Sequence, residues 1–183
     1  MSWSEMRIVR LVAAMAIAGL TAGCFQPLYG ERSALGGAPV AQAMSGVTVT
    51  DIKTPRGSRI DRVGFEIRNG LIYGLTGGRG GSSPTHQLAI DLRSTQQQII
   101  VDASSGRADV QNYGIDAYYT LTELATGKVV LRSVASSRVS YNIPGQQQRF
   151  AGERGLRDAE DRAASVIADN IRNRIASYFT AGT

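Results

Sequence analysis

The sequence predicts an α+β fold: a two-layer sandwich with an about four-stranded, mostly antiparallel sheet and two α-helices packed on one face. Three observations carry that reading. Apolar residues recur at three- and four-residue spacing over 60–75. They then alternate with polar ones over 88–143, and return to the helical spacing over 159–179. Period 3.6 places one stripe on a helix, and period 2 places one face on a strand.

In chain order, residues 47–52 (Val-Thr-Val-Thr-Asp-Ile) read as a short strand rich in β-branched residues. Ile60, Val63, Ile67, Leu71 and Leu75 form the first helical stripe. Gly64, Gly70 and Gly74 interrupt it. Each costs about 1 kcal/mol relative to Ala, so this helix depends on tertiary packing. The Gly- and Ser-rich run 77–84 is a loop that ends it. It lacks the Lys-Ser/Thr ending of a phosphate-binding loop and is discounted as a nucleotide site.

Leu88, Ile90 and Leu92 then alternate with polar neighbours, and 99–101 continue that strand or begin another. Ser104-Ser105-Gly106 reads as a hairpin turn. Ile115, Ala117, Tyr119 and Leu121 share one parity of the next strand. A second turn at 125–128 leads to Val129, Leu131, Val139, Tyr141 and Ile143. Short connections favour an antiparallel meander with one packed face. The last helix carries Ala159, Ala163, Val166, Ile167, Ile171, Ile175, Tyr178 and Phe179 as its stripe. Asp158, Glu160 and Asp161 read as its N-terminal charge cluster, with Arg172 and Arg174 late, which suits the helix dipole. Asp158 and Arg162 are spaced for an i,i+4 pair. Both stripes need burial, and the sheet offers one face for both.

The amino-terminal segment has a different character. Arg7 and Arg10 make a positive region, residues 11–20 are an uncharged and mainly apolar run, and Leu20-Thr21-Ala22-Gly23 lead into Cys24. Ten such residues are half of what a membrane-spanning helix needs but suit a signal peptide. Small residues before a cysteine resemble the bacterial lipobox. The expected division is a lipoprotein signal peptide over 1–23, a lipidated tether over 24–46, rich in Gly, Ala, Pro and Ser, and a domain over 47–183. Cys24 is the sole cysteine, so no intramolecular disulfide can form. A diacylglycerol and an N-acyl chain on Cys24 would anchor the chain, since each buried CH₂ contributes about 0.8 kcal/mol. No other cofactor is expected.

The formal net charge is +5; without the segment's two Arg and one Glu it is +4. Lys53 and Lys128 are the only lysines. Arginine pairs bidentately with phosphate or carboxylate, so an anionic lipid or glycan suits this chain. A solvated basic surface is the plainer reading of any one arginine, and no nucleic-acid motif occurs. His86, the only histidine, reads as a surface residue at a strand start with no cysteine pair to complete a zinc site. Asp102, Asp109 and Asp116 look solvated. Tyr113, Tyr118, Tyr119 and Tyr141 suit a sheet core or a barrel contact better than a stacking surface. No Gly-x-Ser-x-Gly elbow occurs, and no catalytic residue is assigned. The expectation is that the chain is no enzyme.

Gly23-Cys24-Phe25-Gln26-Pro27-Leu28-Tyr29-Gly30 resembles the start of mature LPS-assembly lipoproteins of the LptE family, particularly alphaproteobacterial ones. The Gly that usually follows the cysteine is absent here. Residues 113–124, Thr126-Gly127-Lys128, Ser140-Tyr141-Asn142 and the terminal helix extend the resemblance over almost all of the mature chain. It implies two helices against a four-stranded sheet. It also implies an outer-membrane lipoprotein, anchored on the periplasmic side, that plugs the barrel LptD and helps it assemble and insert lipopolysaccharide in the outer leaflet. Some members bind lipopolysaccharide directly. Phe25, rather than Asp, after the cysteine fits outer-membrane delivery. Lipid A carries phosphates, so Arg79, Arg93, Arg107, Arg132 and Arg138, in or beside the expected sheet, are the LPS-binding candidates. The alternative is a free-standing lipoprotein binding module for a lipid or anionic glycan, expected to show a concave apolar pocket.

Overall fold

The computed structural model describes residues 39–78, 82–99, 110–143 and 149–181. In chain order the elements are α1 (Val40–Ser45), β1 (Val47–Val49), α2 (Arg59–Thr76), β2 (His86–Ile99), β3 (Val110–Glu123), β4 (Val129–Asn142) and α3 (Arg149–Ala181). The strands form one sheet in the order β1-β2-β3-β4. β1 runs parallel to β2, and the other pairs are antiparallel. This is the expected α+β sandwich.

The two long helices lie side by side and run in the same direction. Arg62 meets Glu160 and Asp161 near one end, Gly70 faces Ala168 further along, and Gly74 faces Arg172. A Cβ added at Gly70 would lie 3.3 Å from the Ala168 Cβ, so the glycine sets how closely the helices approach. Ser58 caps α2 by accepting from the Asp61 N–H at 3.2 Å, and Gly77 ends it with φ 64°. These signals match the expected stripe, whose residues Val63, Ile67, Leu71 and Leu75 are all buried.

The sheet's covered face carries Leu88 and Ile90, then Tyr113, Ile115, Ala117, Tyr119 and Leu121, then Leu131, Ala135 and Tyr141. Ile167, Ile171 and Ile175 of α3 are fully buried in the same core. At roughly 25 cal/mol per Å² of buried apolar surface, this layer supplies the main drive to fold.

Five expectations are corrected. The tether was expected to run to residue 46, but Val40–Ser45 form a helix whose Val40 and Met44 enter the core. Two apolar residues four apart suffice to dock one turn. Val129 was assigned to the covered parity. A register shift at Leu121/Thr122 pairs it with Thr122, and it is exposed. One extra residue in a strand turns its neighbours to the other face. Val166 is 44% exposed rather than part of the stripe. Helix α3 starts ten residues before Ala159, so Asp158, Glu160 and Asp161 do not sit in its first turn. Asp158 does accept from Arg162 at 2.8 Å, as the spacing implied. His86 opens β2 as expected but is half-buried, edge-on to Phe179 at 5.1 Å between ring centroids.

Candidate functional site

Strand alternation leaves the sheet's second face open, and this face collects the polar residues. Its rungs are read from the register. Ala89, Thr120 and Arg132 lie in line, followed by Asp91, Tyr118 and Val134. Then come Arg93, Asp116 and Ser136, then Thr95, Gly114 and Arg138, and then Gln97, Asn112 and Ser140. Arg93, Arg132 and Arg138 therefore share one surface. Arg79, Arg107 and Cys24 lie outside the described residues.

The three arginines are not equivalent. The Arg138 guanidinium is engaged through both terminal nitrogens. It donates to both Asp116 carboxylate oxygens at 2.9 Å, to the Ile115 carbonyl at 3.1 Å and to the Ser137 carbonyl at 3.0 Å. Gly114 makes room for it: a Cβ there would fall 2.8 Å from Arg138 Cδ and 2.7 Å from Thr95 Oγ1. Ser136 donates to the same carboxylate at 2.7 Å. These partners, the Ser136 hydroxyl first and Arg138 after it, hold the Asp116 carboxyl below the usual carboxylate range. Asp116 is thus a structural anchor, not the solvated position its spacing suggested. Ser140 donates to Asn112 at 2.6 Å further along.

Arg93 lies over the ring of Tyr118, 5.2 Å from its centroid. Tyr118 is 44% exposed, whereas Tyr113, Tyr119 and Tyr141 are buried on the covered face. The Arg132 guanidinium forms no ion pair or hydrogen bond with another described residue. It lines a shallow hollow of about 570 Å³ on the open face, with Ala89, Asp91, Tyr118, Thr120 and Val134.

A second hollow, of about 590 Å³, lies where α2 and α3 begin. Arg59, Arg62, Arg154, Arg157 and the exposed Phe150 line it. Most of its charge is internally matched: Arg59 pairs with Glu153 at 2.7 Å, and Arg62 with Glu160 at 2.5 Å and Asp161 at 2.6 Å. Glu160 is 2% exposed, a buried carboxylate in what the sequence reads as an N-terminal charge cluster. Its position one helical turn from Ala163 and next to Ala159 was the available signal. The i,i+4 stripe that buries those alanines also carries residue 160 inward.

His86 packs against Tyr178 and Phe179, and its Nδ1 is 2.9 Å from the Thr85 hydroxyl. Burial holds its imidazole below the usual range. Among the described residues, no cluster of three His, Cys, Asp or Glu could hold a metal ion, and no helix is long and apolar enough to cross a membrane.

No family model matches the chain, and no curated protein matches it. Solved structures do. A candidate lipoprotein from Caulobacter crescentus CB15 is 19% identical with a TM-score of 0.59, the match covering 78% of this chain and 96% of that one. The rare lipoprotein B from Shewanella oneidensis is 13% identical with a TM-score of 0.50, covering 72% and 92%. The chain has the fold of these lipoproteins.

Proposed function

We propose that this chain is an outer-membrane lipoprotein of the lipopolysaccharide transport machinery, acylated on Cys24, that plugs the barrel LptD and assists its assembly. In this reading it is no enzyme; it works by occupying and stabilising a partner.

The observation that carries the reading is the finished open face. A sheet face in need of a protein cover is apolar; this one is closed largely by its own contacts, Asp116 with Arg138 and Ser136, and Asn112 with Ser140. Such a face suits the wet, polar interior of a large membrane barrel. Two further points support it. The fold matches a rare lipoprotein B, and the N-terminal segment around Cys24 resembles the LptE family.

Depletion tests this in the cell. Removing the protein should lower the amount of correctly assembled barrel, and Cys24→Ala should do the same by mislocalising the chain. A normal barrel level in cells lacking the protein would overturn the proposal.

A further inference from the structure

Helix α3 starts two turns ahead of its neighbour. Along their contact Arg62 meets Glu160, Gly70 meets Ala168 and Gly74 meets Arg172, each pair 98 residues apart. By that register, residues 149–156 lie past the start of α2 at Arg59. These turns keep the sheet on one side, where Leu156 is buried and Gly155 faces the Asn142 carbonyl and the Tyr141 ring. On the other side the line of α2 stops, and the hollow of about 590 Å³ takes its place, with walls drawn from α2 and α3 alone. Phe150, Arg154 and Arg157, spaced four and then three, form one stripe of α3 along it. Phe150 is 86% exposed, more than any other large apolar residue among the described ones. Arg59 and Arg62 are tied to Glu153, Glu160 and Asp161. Arg154 and Arg157 are exposed, and neither forms an ion pair with a described residue. The hollow thus sets four arginines against two glutamates, beside an uncovered ring.

We propose that this seat docks an acidic helix of a partner protein, one that presents an apolar side chain with carboxylates four and seven residues along from it. The seat prolongs the line of α2, so it has the width of the helix that fills it further on, at the usual 8–10 Å between axes. From Phe150 to Arg157 the stripe spans roughly 10 Å, two turns of an apposed helix. The apolar side chain covers Phe150, and each carboxylate meets the fork of one unspent arginine. A free phosphate would use the arginines and leave Phe150 in water. A charged lipid surface is flat, whereas these cations line a recess in which Glu153 and Glu160 repel a dense anionic layer. An extended strand repeats every two residues and does not match a four-then-three stripe. A barrel wall is made of strands, so this partner is a second one. The inference goes beyond the translocon reading and does not rest on it.

Calorimetric titration of the full acylated chain in detergent tests it. The probe is an Ala-rich helical peptide of about 16 residues, long enough to form a helix, with one Leu and a Glu four and seven residues after it. The control has the same composition with both Glu moved to the opposite helix face. The ordered peptide should bind at least about ten-fold more tightly than the control, and more weakly as salt rises from about 0.05 to about 0.5 M. Arg154→Gln and Arg157→Gln should each weaken it by about ten-fold, as should Phe150→Ser, while Arg132→Gln on the open sheet face leaves it unchanged. All of these side chains are exposed, and an unchanged melting temperature for each variant keeps the result readable. Recovery of the barrel by the chain carrying both Arg154→Gln and Arg157→Gln should match the parent, which separates this partner from that one; loss of the barrel would make the hollow part of the barrel contact and overturn the inference. Equal binding of the two peptides would overturn it too, as would no binding heat from either. So would inorganic phosphate, or vesicles of anionic phospholipid, competing away the ordered peptide at equal concentration.

Discussion

The two faces of the sheet are made by the same three long strands, yet they do opposite work. The covered face is a continuous apolar layer from Leu88 across Leu121 to Leu131, closed by Ile167, Ile171 and Ile175. The open face, one residue along each strand, is built largely of polar and charged side chains, several of them bonded to one another, with Tyr118 its exposed aromatic among the described residues. Apolar burial holds the molecule together and tolerates little change, whereas hydrogen bonds at a wet surface contribute less and leave room for function. Core packing and surface chemistry are therefore separated by strand parity.

That separation can be broken from the covered side first. Ile167→Ala should cost about 4 kcal/mol, seen as a lower urea midpoint, because the site is fully buried and cannot collapse around the cavity. A loss similar to that of an open-face substitution would contradict the comparison. Arg62→Ala should come next, at about 3 kcal/mol, since it strands the buried Glu160 carboxylate. Arg62→Ala with Glu160→Gln should recover part of that loss; if it recovers nothing, Arg62 acts by packing alone.

The open side should respond least. Asp116→Asn should cost under about 1 kcal/mol at neutral pH, because its partner Arg138 is half exposed. The sign of its pH dependence is set by the depressed folded pKa. The contribution is fully present above the unfolded value of about 4 and is lost as pH falls through the lower folded value. The gap between parent and variant should therefore close in acid. A gap that persists unchanged to pH 2 would show that the carboxylate's charge is not what Arg138 and Ser136 hold. His86 gives an earlier acid response in the same direction. Its folded pKa is lowered, so its contribution is present above about 6.5 and falls away below that.

Much of this architecture was legible in the sequence because periodicity reports which way a side chain points. The α2 stripe from Ile60 to Leu75 and the alternation of Leu88, Ile90 and Leu92 translate directly into buried positions. Val129 was misread because a bulge changes parity without leaving a sequence mark. The α1 turn was missed because two docked residues, Val40 and Met44, are too few to establish a period. At the site, residue type picked out Arg93, Arg132 and Arg138 and strand alternation put them on one face. Their division into spent and unspent cations was not visible. It depends on Gly114 opening a path for Arg138 to Asp116 across the strands, and cross-strand register is a tertiary property. Tyr118 was grouped with its three neighbours for the same reason, although parity alone separates it from Tyr113 and Tyr119.

The most direct measurement of the central claim is affinity capture of the acylated chain from solubilised outer membrane, with mass spectrometry of what accompanies it. The account predicts a large outer-membrane barrel recovered in near-equal amount with the chain, and no such capture from cells carrying Cys24→Ala. Recovery of the chain by itself, with residue 24 unmodified, would contradict it.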